Sequence, residues 1–142
     1  MTPGLTLKTS IHINAPVSKV WDALTNPELI KKYFFGTECL SDWKKGSPIV
    51  YRGVWEGKPY EDKGNIIDIE PEKFILYNYW SSMAGTEDIP ANYTVIRYEL
   101  TPENNGTTFT VIQHGMKTQE AHDDSEKNWG FILSGMKTLL EE

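Results

Sequence analysis

The sequence predicts an α+β domain in which an antiparallel sheet grips a long C-terminal helix. Three observations carry that prediction. An alternating strand at the start is followed at once by two short amphipathic segments. The middle of the chain reads as strands separated by turn residues, and the final segment carries one apolar stripe at helical spacing. Consecutive strands with short connections form an antiparallel sheet, and one long helix must bury its stripe against a face of it. With 142 residues and no repeat, linker or low-complexity tract, the chain reads as a single domain over 1–142.

From Leu7 to Asn14, Leu7, Thr9, Ile11 and Ile13 alternate with Lys8, Ser10, His12 and Asn14, which marks a half-buried strand. Ala15-Pro16 ends it, and Pro16 suits the first position of a helix. Val17, Val20, Trp21 and Leu24 then fall on one helical face. Asn26-Pro27-Glu28 supplies a cap, a first-turn proline and an acidic first turn for a second short helix. That helix carries Leu29, Ile30, Tyr33 and Phe34 and stops at Gly36.

Strands follow at Ile49–Trp55, Tyr60–Ile69, Phe74–Trp80, Tyr93–Leu100 and Thr107–Met116. Glu56-Gly57-Lys58 is one expected turn, and Asn105-Gly106 is the strongest hairpin signal in the chain. The connection from Ser81 to Pro90 is the longest irregular one among the later strands, a place where function often resides. The stretch from about Thr118 to Glu142 reads as one helix with Trp129, Ile132, Leu133, Met136 and Leu140 on its apolar stripe and an acidic beginning.

Composition excludes several functions. Fourteen basic and twenty acidic side chains give a charge of −6, and the basic residues do not cluster beyond pairs such as Lys31-Lys32 and Lys44-Lys45. Binding to nucleic acid through phosphates, or to a membrane through a polybasic anchor, is not expected. No apolar run approaches the ~18 residues of a spanning helix. Met1-Thr2-Pro3-Gly4 shows no secretory signal. A single cysteine, Cys39, fits a reducing cytoplasm and reads as a semi-buried thiol rather than a nucleophile.

The search for catalytic chemistry returns little. His12 and His114 fall opposite the apolar sets of their strands and are expected to face outward. No nucleophile elbow, phosphate loop or dinucleotide fingerprint occurs. Glu120, His122, Asp123, Asp124 and Glu126 gather at the start of the last helix, where acidic groups suit the helix dipole. No metal site and no cofactor are expected.

The positive signal is aromatic. The chain has five Trp, seven Tyr and five Phe. By strand parity Tyr51, Trp80 and Tyr98 point inward, with Trp129 opposite them on the helix; Gln113 and Asn78 add polar groups among the rings. A few polar groups amid rings describe a small-molecule pocket, and a plain filled core fits the same periodicity. The strand 74–80 is apolar on both faces. Whichever set points outward, with Tyr77 and Tyr79 as the expected pair, is a candidate patch for a homodimer or protein partner.

At the level of motif, Ser10-Ile11-His12-Ile13-Asn14-Ala15-Pro16 followed by Val20-Trp21-Asp22-Ala23-Leu24-Thr25-Asn26-Pro27-Glu28 resembles the opening of START-like (SRPBCC) proteins, in the branch of the activator of the heat-shock-protein-90 ATPase. Gly64-Asn65-Ile66-Ile67-Asp68-Ile69-Glu70-Pro71 in the middle and Ser125-Glu126-Lys127-Asn128-Trp129 with Gly135-Met136-Lys137 near the end agree with it. The resemblance implies the helix-grip fold, a curved antiparallel sheet wrapped around the C-terminal helix and enclosing a cavity. It also implies relatives of diverse function: lipid and sterol carriers, polyketide cyclases, allergen-like ligand binders and co-chaperones.

The resulting expectation is a non-enzymatic binder of a small hydrophobic or aromatic molecule. Phe34, Tyr51, Trp80, Tyr98, Trp129 and Leu133 supply the walls, and Asn78 and Gln113 orient a polar group. No catalytic residue is assigned. The alternatives are a cyclase- or dehydratase-like enzyme, for which His122 and Asp68 are the available titratable groups, and a co-chaperone-like interaction module.

Overall fold

A computed structural model describes residues 5–34, 36–81 and 87–141, apart from the side chain of Trp55. Along the chain run β1 (Leu5–Ile13), α1 (Val17–Thr25), α2 (Pro27–Tyr33), β2 (Glu38–Ser41), β3 (Pro48–Trp55), β4 (Lys58–Glu70), β5 (Phe74–Tyr79), β6 (Thr94–Glu103), β7 (Gly106–Met116) and α3 (Gln119–Leu140). The strands form one curved antiparallel sheet in the order β1-β7-β6-β5-β4-β3-β2. β1 therefore pairs with the last strand, and the helices α1 and α2 carry the chain across to the other edge. Compared with the sequence reading, β2 is additional. Its four residues are too few to show an alternation, although Cys39 within it is fully buried.

Two hairpins are set by residues in the left-handed region. Glu56 and Gly57 (φ 50° and 80°) join β3 to β4. Asn104 and Asn105 (φ 51° and 63°) join β6 to β7, so the turn sits one residue earlier than Asn105-Gly106. Both positive angles fall on asparagine, which tolerates them. Gly106 lies outside the turn and serves packing instead. It is already a strand residue paired with Glu103, and a Cβ there would lie 2.4 Å from the Ile13 carbonyl oxygen. Its lack of a side chain lets β1 approach. Gly64 is tighter still, since a Cβ would sit 1.7 Å from the backbone oxygen of Asn78.

The face shown by β5 depends on register. Ile96, Tyr98 and Leu100 of β6 are buried, as their alternation predicts. β5 pairs Ile75 with Tyr98 and Tyr77 with Ile96, so its odd-numbered residues turn inward. On the other side β4 pairs Ile66 with Tyr77 and Asp68 with Leu76, which leaves Ile67 as an extra residue. This bulge keeps Ile66 and Ile69 on the same side of the sheet despite their odd spacing. The expectation that Tyr77 and Tyr79 form an outer patch is therefore corrected: Tyr77 is 1% exposed, and Tyr79 packs against the core.

α2 begins as the sequence indicates, with Asn26 Oδ1 accepting a hydrogen bond from the Glu28 N–H and Pro27 in the first turn, whereas α1 starts at Val17 and Pro16 is its cap rather than its first residue. At α3 the cap is Thr118, whose hydroxyl accepts from the Ala121 N–H. The helix buries Trp129, Ile132, Leu133, Met136 and Leu140 against the sheet. Its far end is tied to β1: the Lys137 Nζ donates to the His12 carbonyl at 2.7 Å, and the Asn14 N–H donates to Glu141 Oε2 at 2.9 Å.

Glycine substitutions test this reading with opposite signs. Gly64→Ala is expected to lower stability by about 1–3 kcal/mol, the usual range for forcing atoms into a packed site. Gly130→Ala, on the exposed face of α3 with nothing near its Cβ position, is expected to raise stability by about 0.4–1 kcal/mol. Urea midpoints of the two variants check both.

Candidate functional site

Where the sheet faces α3, rings meet. The Phe34 ring stacks on Tyr51 with centroids 5.3 Å apart and stands edge-on to Trp129 at 6.4 Å. Tyr98 is edge-on to Trp129, to Tyr77 and to Phe109, at 5.8, 5.3 and 5.3 Å. Tilted and edge-to-face pairs of this kind are the favoured arrangement for aromatic quadrupoles. Phe34 reaches the cluster from the C-terminal cap of α2 and is half-buried, whereas Tyr51, Tyr77, Tyr98 and Trp129 are buried.

Most of these rings carry polar tips. Tyr77 and Tyr98 share a hydroxyl–hydroxyl hydrogen bond of 2.7 Å, and the Tyr51 hydroxyl reaches Tyr77 over a long 3.4 Å contact. The Cys39 thiol adjoins the Tyr51 hydroxyl. Burial pushes this thiol up to about 12, partly offset by its hydrogen bond to Tyr51. Burial, reinforced by the neighbouring phenols, holds Tyr51 and Tyr98 well above the ordinary range. Burial thus favours the neutral form of all these groups at physiological pH.

Gln113 links sheet and helix. Its Oε1 accepts from the Trp129 indole N–H at 3.0 Å, and its Nε2 donates to Thr94 Oγ1 at 3.0 Å. A second polar group lies beside the rings: the Tyr79 hydroxyl donates to Asp62 Oδ2 at 2.6 Å, and the Tyr79 ring is 6.0 Å from that of Tyr51. Asp62 is a carboxylate only 8% exposed on the inward face of β4.

The structure brings together Phe34, Tyr51, Tyr98 and Trp129, with Gln113 bound to Trp129 and Leu133 buried on the same helix face. Asn78 and Trp80 do not join them. Both stand at the outward parity of β5, and Asn78 Oδ1 accepts from the Asn65 N–H instead. The reason is the register of β5, which gives the inward places to Ile75, Tyr77 and Tyr79. Tyr77, Tyr79, Asp62 and Cys39 are the residues that sequence reasoning missed. The two tyrosines were visible as the alternative face of 74–80; Asp62 carried no signal beyond sharing the parity of Gly64 and Ile66.

His12 and His114 face outward as expected, bonded to the Glu103 carbonyl and to the Thr6 hydroxyl. Neither alternative titratable group reaches the rings. Asp68 caps the Ile69 N–H, and His122 pairs with Asp123 on α3. Among the described residues no cluster of His, Cys, Asp and Glu could hold a metal ion, and no helix is long and apolar enough to cross a membrane. Half of the connection expected to carry function, 82–86, lies outside the described residues; at its end is a short 3₁₀ turn, Pro90–Asn92. Two clefts stand out, both away from the rings. One, of about 390 Å³, lies over α3 beside Lys32, Ser134, Gly135, Thr138 and Leu139, and one of about 350 Å³ lies beside Asn65, Asn78, Asp88, Pro90 and Tyr93.

Residues 14–141 match the model of the family described as activator of Hsp90 ATPase homolog 1-like protein. Protein ChR145 from Cytophaga hutchinsonii, known from a solution structure, is 42% identical with a TM-score of 0.84, over 99% of this chain and 97% of that one. The crystal structure of CV1439 from Chromobacterium violaceum aligns with a TM-score of 0.82 at 19% identity, covering 96% and 97% of the two chains. That of NE0264 from Nitrosomonas europaea aligns with a TM-score of 0.78 at 24% identity, covering 96% and 94%. The last two share the fold. No curated protein matches the chain.

Gln113→Leu leaves the Trp129 indole N–H buried without its acceptor and is expected to cost about 1–3 kcal/mol; urea unfolding measures the loss, and an upfield move of the Trp129 Nε1–H proton resonance locates it. Stability is also expected to fall as pH rises above about 9. The Cys39 thiol, whose ordinary value is 9.0, ionises there only in the unfolded chain, so the native state binds the extra proton up to about 12. Above 10 the fall steepens as Tyr51 and Tyr98 add the same effect. Urea midpoints recorded from pH 7 to 11 check the direction.

Proposed function

The chain belongs to the activator of Hsp90 ATPase homolog 1-like family, and on that premise we propose that it binds a small hydrophobic or aromatic molecule between the sheet and the C-terminal helix without transforming it. The observation that carries this reading is the position of Phe34. Its half-buried ring fills a slot between Tyr51 and Trp129, at the outer edge of a cluster whose other rings are buried. A flat ligand ring displacing it meets the same stacked and edge-on partners, with the polar groups of Gln113 and the tyrosines behind. Rings with a few fixed polar groups are the ordinary lining of small-molecule sites.

The side chain of Phe34 comes from the cap of a seven-residue helix, followed two residues later by Gly36 at φ 75°. Its anchorage is therefore lighter than that of the rings on β3, β6 and α3. A reducing cytoplasm as the location suits the single thiol.

A cyclase- or dehydratase-type enzyme is the second reading, and the buried Asp62 favours it by placing a carboxylate beside the Tyr51 and Tyr79 rings. For a homodimer or a co-chaperone-like contact the expected outward pair was Tyr77 and Tyr79; both turn inward, and the other apolar set of the strand, Phe74 and Leu76, takes the outward places.

Titration of the wild-type protein with indane, followed by ¹H–¹⁵N NMR, tests the principal reading. Saturable shifts of the Trp129 indole and Gln113 amide signals are expected. Phe34→Ala should tighten indane binding by about tenfold, because an emptied apolar slot takes up aromatic hydrocarbons. Binding seen only in Phe34→Ala would mean that the slot is an artefact of truncation and would overturn the proposal.

A further inference from the structure

Phe34, the ring in the slot, is held on both sides along the chain. Its own N–H donates to the Ile30 carbonyl at 2.9 Å and so continues α2. Its carbonyl accepts from the Thr37 N–H, also at 2.9 Å. Thr37 is 1% exposed, and a buried hydroxyl needs a partner. That partner is the hydroxyl of Tyr60, near the start of β4. Two hydrogen bonds in series therefore tie Phe34 to the sheet, one between Tyr60 and Thr37 and one between Thr37 and Phe34.

Strand β3 makes room for this arrangement. Gly53 pairs with Tyr60 and shares the face of Tyr51, two residues away. A Cβ at Gly53 would lie 2.5 Å from the Tyr60 hydroxyl oxygen and 2.7 Å from Cζ. Gly53 takes no left-handed angle, so its missing side chain serves the Tyr60 ring, which lies across it and reaches Thr37. Resting on the reading that a ligand ring takes the place of Phe34, we propose that Tyr60 is a positioning residue of the site. Its bond to Thr37 keeps Phe34 between Tyr51 and Trp129, and the strength of that hold sets the affinity for the ligand. When Phe34 leaves the slot, both bonds are given up. The apparent affinity of such a site is the intrinsic one reduced by the fraction of molecules whose slot is vacant. Loosening the hold raises that fraction, and binding tightens although the rings that meet the ligand are unchanged.

Indane binding, followed through the Trp129 indole signal, is compared in wild type, Tyr60→Phe and Thr37→Val. Each variant removes one hydroxyl of the pair and keeps its shape. Both are expected to bind indane about fivefold more tightly, the equivalent of one net hydrogen bond. Thr37→Ser, which retains the hydroxyl, should keep the wild-type affinity. In Phe34→Ala no ring is left to hold, so adding Tyr60→Phe should change nothing further. A role confined to folding would give the same change with and without Phe34. In the wild-type protein saturating indane should speed hydrogen exchange at the Thr37 amide severalfold, because its acceptor has moved. Unchanged or weaker binding in Tyr60→Phe, a change that persists without Phe34, or unaltered exchange at Thr37 overturns this inference and leaves the binding reading standing. Failure of the wild-type protein to bind indane at millimolar concentration overturns both. The exchange measurement decides the matter even if a variant does not fold.

Discussion

The requirement that buried polar groups find partners constrains how the apolar core of this molecule can be assembled. Among its mostly aliphatic buried residues, the core holds Tyr33, Tyr51, Tyr77, Tyr98 and Trp129, each with a polar tip that must be satisfied away from water. The consequences reach every layer. Gln113 of β7, inward by the alternation of its strand, supplies the acceptor that the Trp129 indole of α3 needs. Tyr77 and Tyr98 meet across β5 and β6 only in the observed register. Tyr33 anchors α2 to the end of α1 through the Ala23 carbonyl. A phenylalanine core of the same volume would tolerate slips that this one cannot.

The strands with a single apolar face were legible from the sequence. β1, β6 and β7 alternate cleanly, and their buried residues are those the alternation names: Leu7 and Ile13, Ile96 and Tyr98, Phe109, Val111 and Gln113. The stripe of α3 was equally plain, so Trp129 and Leu133 were placed from spacing alone. What could not be read was the pairing of β5. Both of its faces are apolar, its link to β6 is long, and β4 hides a bulge at Ile67 that breaks the count of two. Asn78 and Trp80 were therefore assigned to the inside and Tyr77 and Tyr79 to the outside, and the structure reverses both pairs. The hairpin at Asn104-Asn105 shifted by one residue for a similar reason. The glycine beside it serves the approach of β1 rather than the turn.

Membership of the family fixes the scaffold and leaves the chemistry to individual side chains. Relatives under 25% identical keep the sheet and the helix, as the TM-scores of 0.82 and 0.78 show. In this chain the space between them holds rings, the phenols of Tyr51, Tyr77 and Tyr98, the Cys39 thiol and the Gln113 amide. Groups of that kind cost stability when they serve only packing. Their concentration on one side of one helix is the reason to look for a molecule that uses them.

The tie between Lys137, Glu141 and the end of β1 has a consequence for how the protein is made. The Asn14–Glu141 bond spans 127 residues of sequence, and β1 lies at the sheet edge with β7 as its sheet neighbour. As the ribosome releases the chain, β1 has no sheet partner until β7 has emerged. The strands β2 to β7 pair with their neighbours in sequence, whereas β1 can join the sheet only after β7 is in place. A nascent chain stalled short of β7 would carry an unpaired β1 and an uncovered ring face, both of which invite association with other chains.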